Sequence, residues 1–275
     1  MSPSSDPSTA HVLKLFKESE RALIALSGGV DSAVLVALAE RALGPKNVLA
    51  VTTFSASVPV AERRAASRVA DFVGVGHHEV PTRELENLDY RRNTGDRCYH
   101  CRVEMFETLR RIARERGFGI VAYGAIVDDL GDDRPGMAAA EQLGVRAPLL
   151  EAGLTKRDVR AIARRMGLPV SDKPAAACLA SRIPLGTEVT EERLSQVDRA
   201  EIGLAALGFR QFRVRHHGAI ARLELDAEGN RRLQDPELRR RLVAAVRAAG
   251  FRFVTVDLEG FRSGSLNVVD PVKQE

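Results

Sequence analysis

Six consecutive residues, Ser27-Gly28-Gly29-Val30-Asp31-Ser32, put two glycines, two hydroxyls and a carboxylate into one turn. An apolar run of strand length, Ala22 to Leu26, precedes them, and a breaker-free helix former, Ala33 to Ala39, follows. The reading is strand, tight glycine turn, helix N-terminus. Such a turn aims backbone N–H groups and the positive end of a helix dipole at one point, which is an anion site. Adjacent glycines let the backbone approach phosphate oxygens with no Cβ in the way. Ser27 and Ser32 add hydroxyl donors, and Asp31, which would repel a bare phosphate, implies a bridging Mg2+. The alternative is an ordinary glycine turn, which the flanking serines and aspartate argue against.

The second chemical group is Cys98, Cys101 and Cys178, the only cysteines in the chain. Cys98-Tyr99-His100-Cys101 is a C-x-x-C pair at the start of a predicted helix, and Cys178 follows 77 residues later. An odd count argues against a disulfide framework. A redox pair of the thioredoxin kind lacks its fold here. Structural zinc wants four ligands, and His100 is awkwardly placed inside the pair to be the fourth. Three thiolates could hold a four-iron cluster with one iron open to an exogenous ligand. Three buried, unconnected cysteines are the plainest alternative.

The elements that must position these groups alternate strand and helix. Strands are expected at Ala22–Leu26, Asn47–Thr53, His77–Val80 and Ile120–Gly124, with helices near 33–39, 59–73 and 99–116. This βαβα order implies an α/β fold with a doubly wound parallel sheet, whose ligands bind at the carboxyl ends of the strands. An acidic turn, Asp128 to Gly136, follows the fourth strand, either as a solvated loop or as a contact for a nucleotide or its metal. Thr155-Lys156-Arg157-Asp158 reads as a helix cap, opening a helix to Met166. From Gly186 the pattern changes to αββαβ: a helix over 190–207, strands over 209–216 and 219–225, a helix over 235–249 and a last strand over 251–258. A smaller C-terminal α+β domain with an antiparallel sheet is expected. The division is a disordered tail over 1–12, a nucleotide domain over 13–185, the α+β domain over 186–268 and a tail over 269–275.

With 275 residues, 44% hydrophobic and 28% charged, the composition is that of a soluble two-domain protein. No apolar run approaches the ~20 residues that span a bilayer, and the N-terminus lacks the pattern of a signal peptide. The expected compartment is therefore cytoplasmic, with no membrane partner. The net charge of +4 is spread over both halves, and the chain has no Trp to stack on bases, so no nucleic-acid partner is expected.

The six-residue turn resembles the pyrophosphate loop of the PP-loop ATP pyrophosphatases (HUP-like fold); it lacks the spacer and the Gly-Lys-Ser/Thr ending of a Walker loop. Further segments narrow the resemblance: Arg97–Cys101, Asp128-Asp129 through Gly136, Gly153–Lys156, Lys173 through Arg182, Arg213–His216 and Gly260–Asn267. Together, from about residue 15 to 268, the chain is similar to the LarE family of ATP-dependent sulfur transferases.

That resemblance implies a substrate, pyridinium-3,5-dicarboxylic acid mononucleotide, whose carboxylates are adenylated by ATP and converted to thiocarboxylates for a nickel-pincer nucleotide cofactor. It implies a downstream nickel-insertion enzyme as partner and a homo-oligomer, hexameric in relatives. It places ATP on Ser27, Gly28, Gly29, Asp31 and Ser32, with Asp31 on Mg2+. Thr53, Phe54, Gly124 and Asp128 fall around the adenosine. It places the substrate phosphate on Ser181, Arg182, Arg213 and Arg215, and gives Glu201 a tentative metal role or a plain helix-face role. Two sulfur strategies occur in the family. Either a cysteine matching Cys178 is sacrificed and becomes dehydroalanine, or three cysteines, here Cys98, Cys101 and Cys178, hold a [4Fe-4S] cluster that carries the sulfide. The presence of all three implies the second. Lys156 could neutralise phosphate charge or lie exposed. Relatives often carry Asn before the acidic pair, where Ile126 stands here, which leaves that loop's nucleotide contacts open. The runner-up is a tRNA-thiolating PP-loop enzyme. An amide-forming synthetase of the NAD-synthetase kind leaves the cysteines unexplained, and a non-catalytic sensor does not need the complete loop.

Overall fold

The computed structural model describes residues 7–131, 134–174 and 176–262. Its elements in chain order are α1 (Pro7–Phe16), β1 (Ala22–Ala25), α2 (Val30–Leu43), β2 (Val48–Phe54), α3 (Val60–Val73), β3 (Gly76–Pro81), α4 (Leu88–Arg92), α5 (Arg97–Arg116), β4 (Ile120–Ala122), α6 (Arg134–Gln142), α7 (Pro148–Glu151) and α8 (Lys156–Arg165), continuing with α9 (Glu191–Ala206), β5 (Phe212–His217), β6 (Ile220–Leu225), α10 (Ala227–Arg232), α11 (Pro236–Ala248) and β7 (Phe253–Val256).

Side-chain alternation along β1 builds the first unit. Ala22, Ile24 and Leu26 enter a core with α1, α2, α3 and α8. Leu23, between them, enters a second core with α5 and α6. In β2, Val48 and Ala50 face the first core and Leu49 and Val51 the second. Successive strand side chains point to opposite faces, so a sheet buried on both sides needs this unbroken apolar run. The order is β3-β2-β1-β4, and all three pairings are parallel, as the α/β expectation requires. Helix α2 is buried continuously from Ser32 to Ala39, the signature of a helix enclosed by its neighbours.

In the second unit β5 and β6 form an antiparallel hairpin that turns at Gly218, φ +62°. The expected all-antiparallel sheet needs correction, because β7 pairs with β6 in parallel. Two helices, α10 and α11, lie between them, and a helical crossover returns the chain in its original direction where a tight turn would reverse it.

The chain divides into one unit of residues 1–87 and 96–176 and another of 88–95 and 177–275. The later crossing, at 176/177, lies nine residues before the line drawn at 185/186, and the second unit also takes an eight-residue piece, 88–95, from within the first. Asn93 ties that piece in. It is fully buried, sits at φ 57°, and its amide donates to the carbonyls of Ile183, Pro184 and Thr187. The tail expected over 1–12 is helical from Pro7, with Val12 and Phe16 in the core. Of the sequence motifs, Asp132-Asp133 and Ser263–Asn267 lie outside the described residues, as does the tail over 269–275. Among the described residues no helix is long and apolar enough to cross a membrane.

Candidate functional site

The glycine turn sits between β1 and α2. Gly28 takes φ +79°, and a Cβ there would run into the Glu62 carbonyl and lie 3.0 Å from the Ala66 nitrogen. Glycine is therefore required both for its backbone angle and for the close approach of α3. The two serines close the turn on itself. Ser32 Oγ lies 3.1 Å from Ser27 Oγ, accepts from the Ser27 N–H at 3.2 Å and reaches the Gly29 carbonyl at 3.1 Å. Gly29 caps α2 with no side-chain hydrogen bond of its own, which leaves the first-turn N–H groups to a ligand. Gly124, just past β4, has a packing duty: a Cβ there would lie 2.7 Å from the Ser32 nitrogen.

Two lysines reach the turn. Lys156 Nζ bonds Asp31 Oδ2 at 2.6 Å, and its own N–H donates to Asp128 Oδ2 at 2.8 Å. Lys156 is thus paired where exposure was the alternative. It is set there by a cap in which Thr155 Oγ1 accepts from the Asp158 N–H and the Asp158 carboxylate accepts from the Thr155 N–H at 3.1 Å. The Thr155 hydroxyl, which also donates to that carboxylate at 2.5 Å, and then the Thr155 N–H hold the Asp158 carboxyl below its ordinary range. Asp31 Oδ1 is buried with no hydrogen-bond partner among the described residues. Lys173 Nζ bonds the Gly28 carbonyl at 2.9 Å and Glu62 at 2.7 Å. The acidic turn forms a short 3-10 helix, Val127–Leu130, closed by Asp129 accepting from the Ile126 N–H at 2.9 Å.

At the carboxyl end of β2, Thr53 and Phe54 are half-buried. The Phe54 ring lies under the Arg63 guanidinium, 3.8 Å from its centroid. The following loop is pinned by Glu84, whose Oε1 accepts from the Ser55 and Ser57 hydroxyls. Glu84 is only 4% exposed.

In the second unit, Cys178 precedes a 3-10 turn, Leu179–Arg182. Arg182 Nε and Nη2 grip both carboxylate oxygens of Glu201, at 2.9 and 3.0 Å. Glu201 Oε1 also accepts from the Val214 N–H at 3.0 Å. Arg215 bonds Glu224 at 2.7 Å and the Ser181 carbonyl at 2.8 Å. Arg213, on the same face of β5, is half-buried and lies over the Phe261 ring at 5.0 Å. Burial first, and then the neighbouring Arg182, push its guanidinium down to about 10. Burial likewise raises the Asp198 carboxyl, helped by Glu201. The cluster thus brings together the guanidiniums of Arg182, Arg213 and Arg215, two of them paired with the carboxylates of Glu201 and Glu224.

Cys98 and Cys178 are exposed and Cys101 is half-exposed, against the alternative of three buried cysteines. Cys98 and Cys101 lie three residues apart at the start of α5, hence neighbours on its surface. They belong to the first unit and Cys178 to the second. Among the described residues no group of three or more His, Cys, Asp or Glu side chains is placed to hold a metal ion.

Four contributors escape the sequence reading as site residues: Glu62, Lys173, Glu84 and Glu224. Lys173 lies in a motif the resemblance uses, but nothing in the sequence points it at Gly28. Glu62 and Glu84 sit in ordinary polar surroundings. Glu224 was findable, since a hairpin at Gly218 puts it opposite Arg213.

A family model described as asparagine synthase matches residues 12–100. An uncharacterized protein of Synechocystis sp. is 44% identical over 93% of this chain and 95% of its own length. The pyridinium-3,5-bisthiocarboxylic acid mononucleotide synthase of Lactiplantibacillus plantarum is 36% identical over 94% of this chain and 93% of its own length. The chain belongs to the LarE family. Like other LarE proteins it is a PP-loop enzyme, an ATP-dependent sulfurtransferase. Its likeness to another thiolating enzyme is more limited: a tRNA-specific 2-thiouridylase of Azorhizobium caulinodans is 30% identical over 57% of this chain and 49% of its own length.

Proposed function

We propose that this protein uses ATP to adenylate the carboxylates of pyridinium-3,5-dicarboxylic acid mononucleotide and converts them to thiocarboxylates. The observation that carries this reading is full-length similarity to the L. plantarum synthase in a chain whose glycine turn opens α2 and meets two lysines. A substrate carboxylate oxygen attacks the α-phosphorus, and the bond to pyrophosphate breaks. A sulfur nucleophile then attacks the acyl carbon, and AMP leaves with the carboxylate oxygen. The N–H groups at the start of α2, with Ser27, Gly28, Gly29 and Ser32, hold the departing pyrophosphate. Asp31 Oδ1, buried and without a protein donor, suits Mg2+, which would neutralise the phosphate charge. Thr53, Phe54, Gly124 and Asp128 surround the adenosine.

Arg213 takes the substrate phosphate, with Ser181, Arg182 and Arg215 as the wall around it. Cys98, Cys101 and Cys178 would hold a [4Fe-4S] cluster; what supports this is the exposure of Cys98 and Cys178 and the three-residue spacing of Cys98 and Cys101 on α5. When bound, the cluster supplies the sulfide. Product passes to a nickel-inserting enzyme, and the protein works as a homo-oligomer without nucleic acid.

Pyrophosphate release is the test of substrate. It should require the pyridinium dicarboxylate mononucleotide and fail with tRNA or nicotinate mononucleotide. Release driven by tRNA would favour the thiolating alternative. For sulfur, anaerobic reconstitution with iron and sulfide should give cluster absorbance that is lost on changing any of the three cysteines to serine. Dehydroalanine at Cys178 after one turnover, with no absorbance, would reject the cluster in favour of sacrifice.

A further inference from the structure

The carbonyl groups around Cys178 are held to a degree that an anion pocket does not require. Arg182, only 2% exposed, spends Nη1 on the Ala177 carbonyl at 2.8 Å, the Cys178 carbonyl at 3.0 Å and Ser181 Oγ at 3.0 Å. Its remaining nitrogens grip Glu201. The Cys178 carbonyl also accepts from the Ser181 hydroxyl at 2.8 Å and the Ser181 N–H at 3.0 Å. Arg215, 4% exposed, holds the next carbonyl, Ser181, and is itself held by Glu224, which has no exposed surface. Glu224 Oε1 meets Arg222 at 3.3 Å. Every carbonyl named here faces a charged or hydroxyl donor, yet the Cys178 side chain stands exposed.

We infer that Glu201 and Glu224 are positioning residues for Cys178. Each carboxylate fixes one arginine, and the two arginines clamp the backbone of residues 177–181 so that the thiol is presented at one place. Burial makes such pairs directional. A guanidinium removed from water must spend its N–H groups on fixed acceptors, and charge-assisted bonds hold those acceptors more tightly than neutral ones. The carboxylates therefore act through the arginines on the turn. This goes further than the phosphate role of Arg182 and Arg215 and rests, for its chemical meaning, on the sulfur-transfer reading of Cys178.

The test uses the full-length chain, reduced and treated with chelator, in three forms: Glu201→Gln, Glu224→Gln, and the pair Arg215→Met with Glu224→Met. The last removes the buried ion pair without stranding one charge, so it serves if Glu224→Gln fails to fold. Hydrogen exchange of the Ser181 and Ile183 amides should accelerate about tenfold, in keeping with the loss of one bond to a charged group. Iodoacetamide labelling of Cys178 relative to Cys98 should change severalfold, and in protein reconstituted with iron and sulfide and supplied with Mg2+, sulfurated product per pyrophosphate released should fall. Amides of the β5–β6 hairpin other than Val214, whose N–H bonds Glu201 directly, should exchange as in the parent. Unchanged exchange and labelling ratios in folded variants would overturn the inference. So would acceleration of the hairpin amides in step with the turn, which marks general loosening. If the parent protein releases no pyrophosphate with the dicarboxylate, the functional reading fails, while the exchange and labelling results still judge the clamp.

Discussion

Gly28 and Gly124 serve the same helix start in different ways. At Gly28 the left-handed backbone angle is itself the obstacle, since any L side chain there is strained by roughly 1–2 kcal/mol even before it meets Glu62. Gly124 has no such strain, and only its 2.7 Å approach to the Ser32 nitrogen forbids a side chain. Gly28→Ala should therefore lower the melting temperature and abolish pyrophosphate release together. Gly124→Ala should displace the start of α2 and lower kcat/KM for ATP by about tenfold, roughly 1.4 kcal/mol, with a smaller effect on melting. Steady-state kinetics beside calorimetry separates the two.

Histidines set a pH dependence at the same scale. His77 bonds Thr52 Oγ1 at 2.8 Å, and His216 lies 3.2 Å from Gln196. Burial holds both below the ordinary value of 6.5. The unfolded chain then binds more protons than the folded one as pH falls through 6.5, so stability declines on acidification in that window. Urea midpoints across it should fall with pH, and His77→Gln should flatten the slope. An unchanged slope would remove His77 from the account.

Among the elements, α8 shows how a helix end serves a site. Its capping pair, Thr155 and Asp158, fixes the first turn, and the first residue of that turn, Lys156, reaches Asp31. Thr155→Ala should cost about 1 kcal/mol, read as a melting shift of about 2–4 °C, and should also raise KM for ATP. A stability loss without the KM change would make the cap structural only. This helix is legible in the sequence because cap, acidic third position and terminating Gly167 are local signals. The parallel sheet is legible for a similar reason, since β1 and the first four residues of β2 are unbroken apolar runs. The direction of β7 is not legible, being decided by where α10 and α11 deliver the chain. The reach of Lys173 to Gly28 is hidden because 145 residues separate the partners. Glu224 lies between these cases: a charge within a strand pattern reads as solvent-facing until the hairpin turn at Gly218 sets it opposite Arg213.

At the scale of the whole molecule, the second unit depends on a piece of chain from the middle of the first. Asn93 is the fastening. Its amide serves three carbonyls, its carbonyl accepts from the Gly186 N–H at 3.0 Å, and nearby Arg91 O accepts from the Val189 N–H at 2.8 Å. Asn tolerates the left-handed region better than most residues. Asn93→Ala should thus lose both the bonds and the backbone fit, costing about 1–3 kcal/mol. Asn93→Gly keeps the fit and should cost less. Limited proteolysis of both variants, with cleavage mapped to 183–189, checks the order; glycine worse than alanine would refute it. Nothing local marks 88–95 as belonging elsewhere, which is why composition alone drew a single boundary.

A chain that passes from one unit to the other at 87/88, at 95/96 and again at 176/177 has no scissors point that frees both halves intact. On the ribosome, residues 88–95 emerge long before residues 183–189, to which they bond, and must wait for them. A fragment beginning at Ala177 should stay incomplete until a peptide covering 88–95 is supplied in trans, and complementation of that kind measures the fastening directly.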